Sequence, residues 1–226
     1  MNLSPELTAV IAMTLGVGWA SGINLYALIL ALGLAGNFGY VELPSDLQIL
    51  QDPIVIAAAG FMYAVEFFAD KTPGVDTIWD TIHTFIRLPA GALLAAGASG
   101  ALGDIDPGLQ MAAGLVGGSL AATSHAAKAG TRALANTSPE PFSNWVLSFS
   151  EDILVVIGTF VMILHPELFL FLLILFVAFA IWLMPKVWRA LRSQIQRISN
   201  WISPKQPERT DQYGETQSSL DRESDG

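Results

Sequence analysis

Residues 168–185 read LFLFLLILFVAFAIWLMP, an apolar run that contains no charged residue. A helix needs about 20 mainly apolar residues to cross the ~30 Å hydrocarbon core of a bilayer, so this run predicts a membrane-spanning helix. Bulky apolar side chains lie on every side of that helix, which suits a position facing lipid. The run therefore indicates a helical membrane protein.

Five further apolar runs precede this one. They are Leu7–Ala35, Pro53–Ala69, Leu88–Gly103, Leu109–Ala127 and Val146–Leu164. The chain of 226 residues is 52% hydrophobic and only 14% charged, whereas a soluble domain carries about 25% charged residues. It contains no cysteine, which excludes disulfides and thiolate metal sites. We therefore predict an all-α integral membrane bundle of about six transmembrane helices.

All eleven Lys and Arg residues can be placed on one side of this six-helix arrangement. The gaps after the first, third and fifth runs contain acidic residues but no Lys or Arg. Short loops that are rich in Lys and Arg stay in the cytoplasm. The runs follow from hydrophobicity alone, so the charge pattern supports them independently and predicts that both termini are cytoplasmic.

The sequence predicts three segments along the chain. Residues 1–186 form the transmembrane domain. Residues 187–202 combine one apolar face with several basic residues, which predicts an amphipathic interfacial helix on the inner leaflet, where anionic lipid attracts Lys and Arg. Residues 203–226 are polar and low in apolar residues, which predicts disorder.

Small residues are concentrated in the first, third and fourth helices. Helices in lipid associate through close backbone approach at such residues, so we expect these three to form the centre of the bundle. In the first helix the cluster is Gly16, Gly18, Ser21, Gly22 and Asn24. It indicates either tight packing or a broken helix, whose exposed backbone groups can bind substrates at mid-membrane.

Two similar stretches suggest a parallel internal repeat. Residues 58–79 and 112–145 each contain Ala-Ala-Gly, then Thr or Ser followed by Pro, and then a Trp six residues after the proline. Both copies would run in the same direction, about an axis along the membrane normal. The alternative is chance matching in Ala- and Gly-rich sequence.

The densest polar stretch, EFFADKTPGVDTIWDTIHTFIR, covers residues 66–87. Glu66 and Asp70 share one face of the second helix. Asp76 is then expected to cap a short helix that ends at Arg87, with Asp76, Asp80, His83 and Arg87 in one stripe. Such a stripe can contact an ion or substrate, or bind a metal. It also suits an interfacial helix with a solvated polar face.

Further charges lie in the same inner half of the bundle. Carboxylates and cations there are costly in lipid unless they are paired and face the interior. They either neutralise one another to fix helix packing or line a polar cavity open to the cytoplasm. The candidate substrate- or ion-binding residues are Asn24, Glu66, Asp70, Lys71, Asp76, Asp80, His83, Arg87, His125, Lys128, Arg132, Glu151 and Asp152. We expect Glu66, Asp70, Lys128 and Arg132 to form one interacting set.

Two motifs carry a resemblance to a known family. They are GWASGINLY at residues 18–26 and EFFADK at residues 66–71, followed by Trp79-Asp80, His83-Thr84 and RLPAGALL at residues 87–94. On these motifs the chain resembles DUF4126, a bacterial family of uncharacterised membrane proteins. The resemblance implies a small polytopic protein of the bacterial inner membrane, and it brings no activity, cofactor or site residue.

These observations favour transport or permeation of a small polar or charged solute or ion. The alternative is a non-enzymatic scaffold or assembly factor, in which the same charges only lock the helices. A membrane enzyme that uses Asp76, Asp80 and His83 on a metal is a third hypothesis, without assigned catalytic residues or cofactor. The expected partners are the lipid bilayer and a small solute or ion, and a homo-oligomer is left open. Nothing in the sequence predicts nucleic-acid binding.

Overall fold

The protein is seen in a computed structural model, which describes residues 4–72, 74–103, 105–136 and 141–202 and omits the side chains of residues 141, 190, 191 and 193–202. The described residues are mainly helical and include no β-strand, which confirms the all-α class. The α-helices are α1 (Pro5–Asn37), α2 (Pro53–Ala69), α3 (Val75–Ser99), α4 (Pro107–Ala135), α5 (Pro141–Leu164) and α6 (Pro166–Ile202). Short 3₁₀ helices precede α2, at Ser45–Gln51, and follow α3, at Gly100–Leu102.

Proline and side-chain caps define where the helices begin. A proline is the first residue of every α-helix except α3, because its fixed φ suits the first turn and its missing N–H would be unpaired there anyway. Ser4 Oγ accepts from the Leu7 N–H at 3.2 Å. Asp52 and Asp106 cap α2 and α4 in the same manner, each at 2.7 Å. Local sequence therefore favours these positions as helix starts.

Helix α1 is broken at Asn24. This residue has extended backbone angles, φ −148° and ψ 96°, inside an otherwise helical segment. Its side-chain Oδ1 accepts from the Ala27 N–H at 2.9 Å, so Asn24 acts as the N-cap of a second half-helix. The sequence left open whether this stretch is broken or tightly packed, and the structure shows both.

The centre of the molecule is formed by α1, α3 and α4, as the small residues predicted. Gly18 lies so close to α4 that a methyl group there would be 2.6 Å from the Gly117 carbonyl oxygen. Gly22 meets the α4 backbone at Ala121 in the same way, and Gly91 of α3 meets the Ala121 side chain at 2.6 Å. Glycine is needed at these positions because a methyl group would collide with the neighbouring helix.

The predicted boundary between a short helix ending at Arg87 and a separate span Leu88–Gly103 is wrong. A single helix, α3, runs from Val75 to Ser99 and contains Pro89. Its N-cap is Gly74, with φ 87°, and not Asp76. Proline removes one helical N–H and usually marks a helix end, but here the packing of α3 against α1 and α4 keeps the helix continuous.

The interpretation of this stretch as an interfacial helix with a solvated polar face is also wrong. The polar stripe is buried, whereas the apolar side chains Ile78, Ile82 and Phe85 are exposed. Around the helix the polarity is thus reversed relative to a soluble amphipathic helix. Such a reversal is the arrangement expected when the surrounding medium is lipid.

Four segments of the described chain are long and apolar enough to span a membrane: Pro5–Asn37, Val75–Leu102, Phe142–Leu164 and Pro166–Arg189. The 3₁₀ helix Ser45–Gln51 and α2, bent by 67°, qualify together as a fifth. The fold is therefore an all-helical one with four to five candidate membrane spans. The count of six and the parallel repeat stay predictions.

The last helix continues beyond the predicted membrane domain. By compactness the chain divides into Met1–Ala190 and Leu191–Gly226, and α6 is helical through Pro185 to Ile202. Segment 187–202 is thus helical, while its place on the inner leaflet stays a prediction. Residues 203–226, for which the sequence predicts disorder, lie outside the described residues.

Candidate functional site

Buried cations from α3 and α4 meet at Glu66 of α2. Arg87 Nη2 lies 2.7 Å from Glu66 Oε1, and Lys128 Nζ lies 3.2 Å from the same oxygen. The Glu66 and Arg87 side chains are completely buried, and the Lys128 side chain is 1% exposed. Because a buried carboxylate is stable only when paired, these contacts hold three helices in one arrangement.

A second carboxylate, Asp70, extends the contacts to the end of α4. Lys128 Nζ lies 3.1 Å from Asp70 Oδ2, and Arg132 Nη2 lies 2.8 Å from it. Arg132 also donates to the Asp70 backbone carbonyl at 2.9 Å. From the other side Arg132 pairs with Glu151 of α5, through Nε at 3.2 Å and through Nη2. Helices α2, α4 and α5 are thereby joined at one point.

Asp80 of α3 completes this set. Its Oδ1 is 3.2 Å from Arg87 Nη1 and 3.8 Å from Lys128 Nζ. We define the charge network as Glu66, Asp70, Asp80, Arg87, Lys128, Arg132 and Glu151. It contains four carboxylates and three cations, so with all groups ionised it carries a negative excess. The network contains the four-residue set that the sequence predicted.

Part of the hydrogen-bonding capacity of the network is unused. Glu66 Oε2, Asp70 Oδ1 and Asp80 Oδ2 are buried and have no hydrogen-bond partner within the described chain. An unpaired buried acceptor costs about 1–3 kcal/mol, and more when it is charged. These three oxygens therefore keep lone pairs that no group of the described chain uses.

The break in α1 faces the charge network. Lys128 Nζ donates to the Ile23 carbonyl at 3.0 Å, and Arg87 Nη1 reaches the Gly22 carbonyl at 3.5 Å. Carbonyl groups at the end of a helical segment lack intrahelical partners. Here cations of α3 and α4 take the place of those partners, so the break and the network form one site.

Two histidines border the network. Arg87 Nη1 lies 3.2 Å from His125 Nδ1; a guanidinium only donates, so Nδ1 accepts. His125 Nε2 then donates to Thr84 Oγ1 at 2.7 Å. His83 Nδ1 lies 2.9 Å from the Trp79 carbonyl, and a carbonyl only accepts. His83 Nε2 lies 3.1 Å from the Tyr26 hydroxyl oxygen.

Beside the network, Lys71 and Asp152 have separate partners. Lys71 Nζ donates to Ser148 Oγ at 3.1 Å and lies 2.9 Å from the centre of the Phe67 ring. Burial lowers the pKa of Lys71, and the charges of Asp152 and Asp70 partly offset this. Asp152 Oδ1 accepts from Asn24 Nδ2 at 3.0 Å, which connects α5 to the break in α1.

The remaining predicted residue, Asp76, lies at the edge of the site. Its Oδ1 accepts from the N–H groups of Gly74 and Thr77, and its Oδ2 accepts from Asn136 Nδ2 at 2.7 Å. It does not share a ligand position with Asp80 or His83, which have the partners described above. Among the described residues no three His, Asp or Glu side chains converge to hold a metal.

The sequence did not indicate that Tyr26, Ser148 and Asn136 contact the candidate site residues. Tyr26 could have been found, since it ends the motif at residues 18–26 and lies half a turn beyond Asn24. Ser148 and Asn136 carry no comparable signal. Their role depends on which helices become neighbours, and nothing local to them indicates it.

Comparison with known proteins gives one match. The model of a family described as Domain of unknown function (DUF4126) matches residues 11–186. This range includes the whole charge network and the break in α1. No curated protein and no solved structure matches the chain.

Proposed function

The chain belongs to the DUF4126 family, as its motifs predicted, and from its charge network we propose that it transports a small polar or charged solute or ion across a membrane. The observation that carries this proposal is a broken helix whose carbonyl groups contact the cations of a network that also contains unpaired buried carboxylate oxygens. Discontinuous helices that expose backbone groups to buried charges are the usual substrate sites of transporters.

A purely structural role would not require so many charges. Well-packed apolar residues of similar volume often stabilise a protein as well as buried ion pairs do, or better. Charged residues inside membrane segments are correspondingly rare, and in most cases they mark a pathway or a binding site. The unpartnered oxygens of Glu66, Asp70 and Asp80 are the groups with which a polar solute or cation would interact.

The proposed location is the inner membrane of a bacterial cell, with both termini in the cytoplasm. It is supported by the clustering of Lys and Arg after the second and fourth runs and in the tail. Arg87 no longer contributes to this argument, because it lies inside α3 and is paired. The same holds for Lys128 and Arg132, which lie inside α4 and pair with carboxylates of the network. The other eight cations, which follow the second run or lie in the tail, keep the asymmetry.

The test is transport by purified protein in proteoliposomes, recorded as charge movement on a solid-supported membrane. A panel of inorganic ions, amino acids and small organic acids serves as the set of probes. We expect at least one probe to give a saturable signal. Glu66→Gln should fold but reduce this signal about tenfold or more, because it removes the charge that pairs with two cations. The exposed Glu42→Gln is the matched control and should keep the wild-type signal.

A scaffold or assembly factor is the second candidate. It is favoured by the fact that Arg87, Lys128 and Arg132 each pair with at least two carboxylates. In that case no probe gives a signal, and Glu66→Gln misfolds or loses a copurifying partner while Glu42→Gln does not. Absence of flux for every probe together with loss of folding in Glu66→Gln would replace transport with scaffolding.

A further inference from the structure

Asp152 is a buried carboxylate outside the charge network. It is 7% exposed and lies on α5, one residue after Glu151. Within the described chain it has no cation within 4 Å, and its Oδ2 has no hydrogen-bond partner. Every carboxylate of the charge network, by contrast, touches at least one cation.

The surroundings of Asp152 come from several elements. The groups that act on it are Asn24 of α1, Tyr63 of α2, Asp70 and Lys71 after α2, and Lys128 of α4. The two lysines attract its negative charge from beyond ion-pair distance, while Asp70 repels it. Both lysines are already engaged, Lys128 by the charge network and Lys71 by Ser148. Nothing nearby therefore neutralises Asp152 fully.

The charge on Asp152 is physically linked to the break in α1. Asn24 accepts from the Ala27 N–H with one end of its amide and donates to Asp152 with the other. The half-helix that begins after Asn24 has a positive N-terminal end, which favours a negative charge near it. An ionised Asp152 therefore supports the break, and a neutral Asp152 weakens that support.

We propose that Asp152 is the proton-binding site of this transporter and that proton uptake is coupled through Asn24 to the break in α1. A proton from the aqueous phase bonds to Oδ2 and gives a neutral carboxyl group, and it leaves by the reverse step. The role in transport rests on the proposed function, whereas the binding of the proton does not. A proton needs only one acceptor oxygen. A metal cation needs several ligands, and Asp152 belongs to no group of three His, Asp or Glu side chains arranged to hold one within the described chain.

Infrared difference spectroscopy tests the proton site directly. Protein in phosphatidylcholine vesicles is titrated between about pH 8 and about pH 5, a range in which exposed carboxyl groups stay mostly ionised. We expect the C=O band of a buried protonated carboxyl to appear in the wild type and in Glu167→Gln, an exposed control, and to be missing in Asp152→Asn. A band that persists in Asp152→Asn, or that never appears, overturns the proposal.

A second variant tests the coupling between Asp152 and Asn24. Asn24→Ser keeps a residue that caps helices well but removes the amide that donates to Asp152. Because that donor favours the charged carboxylate, its loss should move the midpoint of the band to higher pH by about one unit. An unchanged midpoint overturns the coupling through Asn24. Folding of Asp152→Asn is judged by gel filtration and thermal unfolding. If that variant does not fold, the titration of Asn24→Ser decides whether Asp152 binds the proton.

Charge-movement recordings separate this inference from the proposed function. A pH jump should give a transient signal that Asp152→Asn reduces about tenfold, while a sodium jump at constant pH and ionic strength should give none that depends on Asp152. A sodium signal lost in Asp152→Asn would replace the proton by Na⁺. A proton signal that depends on Asp152, without flux of any probe, would support the proton site and contradict the proposed transport. Probe flux that has the same pH dependence in Asp152→Asn as in the wild type would support transport but rule out Asp152 as the proton site.

Discussion

Lys128 is the residue on which the largest number of buried charges converge. Its Nζ lies within 4 Å of Glu66, Asp70, Asp80 and Glu151. A lysine ammonium is a compact point charge with three donors, so one residue can serve carboxylates that come from α2, α3 and α5. The two arginines instead bridge fixed pairs. Removing Lys128 should therefore disturb more ion pairs than removing any one of these carboxylates.

The first prediction is a coupling between Lys128 and Glu66. Lys128→Met should lower the free energy of unfolding in detergent by about 3–5 kcal/mol, because it leaves buried carboxylates without their shared cation. Adding Glu66→Gln should restore part of this loss. The two effects should depart from additivity by more than about 0.5 kcal/mol.

The control for this cycle is Lys128→Met with Glu42→Gln, whose effects should add because Glu42 is exposed and distant. If the effects of Lys128→Met and Glu66→Gln also add, the contact at 3.2 Å does not form in solution. The charge network would then be two separate clusters.

At this scale the sequence identified the charged residues but not their partners. Helical spacing alone places Asp80 and Arg87 on one face, and the structure pairs them. The pair of Glu66 and Arg87 could not be read in this way, since it depends on how α2 packs against α3. The sequence predicts Arg87 at the end of a short helix, whereas the structure has it inside the continuous helix α3.

Among the helices, the close contact of α1 with α4 decides how the centre packs. Gly18 faces Gly117 with no room for a side chain. Gly60 of α2 is the opposite case, because the nearest atom to an added methyl is Leu30 Cδ1 at 3.9 Å. Two glycines of similar helical setting therefore differ only in what surrounds them.

The second prediction uses this difference. Gly18→Ala should lower the free energy of unfolding by about 1–3 kcal/mol, since the backbones must separate to admit the methyl group. Gly60→Ala should be neutral or stabilise by up to about 1 kcal/mol, because alanine favours the helix. Thermal unfolding of the two variants in the same detergent measures both effects. Equal destabilisation would mean that α1 and α4 do not meet at Gly18.

The helical packing was largely predictable, while the extent of α3 was not. Clusters of Gly, Ala and Ser indicate where helices approach, and they selected α1, α3 and α4 correctly. The direction in which the stripe of Asp76, Asp80, His83 and Arg87 points is a different kind of property. The stripe faces the interior of the bundle only if cations of another helix can pair with it there, and α4 supplies those cations.

For the whole molecule, the number of spans determines where each loop lies. Six spans place Glu42 and Glu167 outside and Thr72 inside, if the N-terminus is inside. Five spans, with α4 not crossing, move Glu167 inside. Four spans, with neither α2 nor α4 crossing, keep Glu167 outside and move Thr72 outside. The three arrangements therefore differ at exposed positions.

The third prediction is the labelling pattern of single cysteines at these positions. The native chain has no cysteine, so each variant carries one site. An impermeant maleimide added to intact cells should label Glu42→Cys and Glu167→Cys, and it should reach Thr72→Cys only after the cells are opened. The reason is that this arrangement keeps the Lys and Arg residues on the inner side. Labelling of Thr72→Cys in intact cells would contradict six spans and favour four.

The contact between Glu66 and Arg87 also has a consequence for biogenesis. Arg87 lies near the middle of the segment Val75–Leu102, and a lone arginine at a helix centre costs about 2.5–3.5 kcal/mol during insertion. Its partner Glu66 belongs to the preceding helix and is synthesised first. We therefore expect α2 to stay beside the insertion machinery until α3 has emerged. Both helices can then enter the lipid together, with Glu66 and Arg87 already paired.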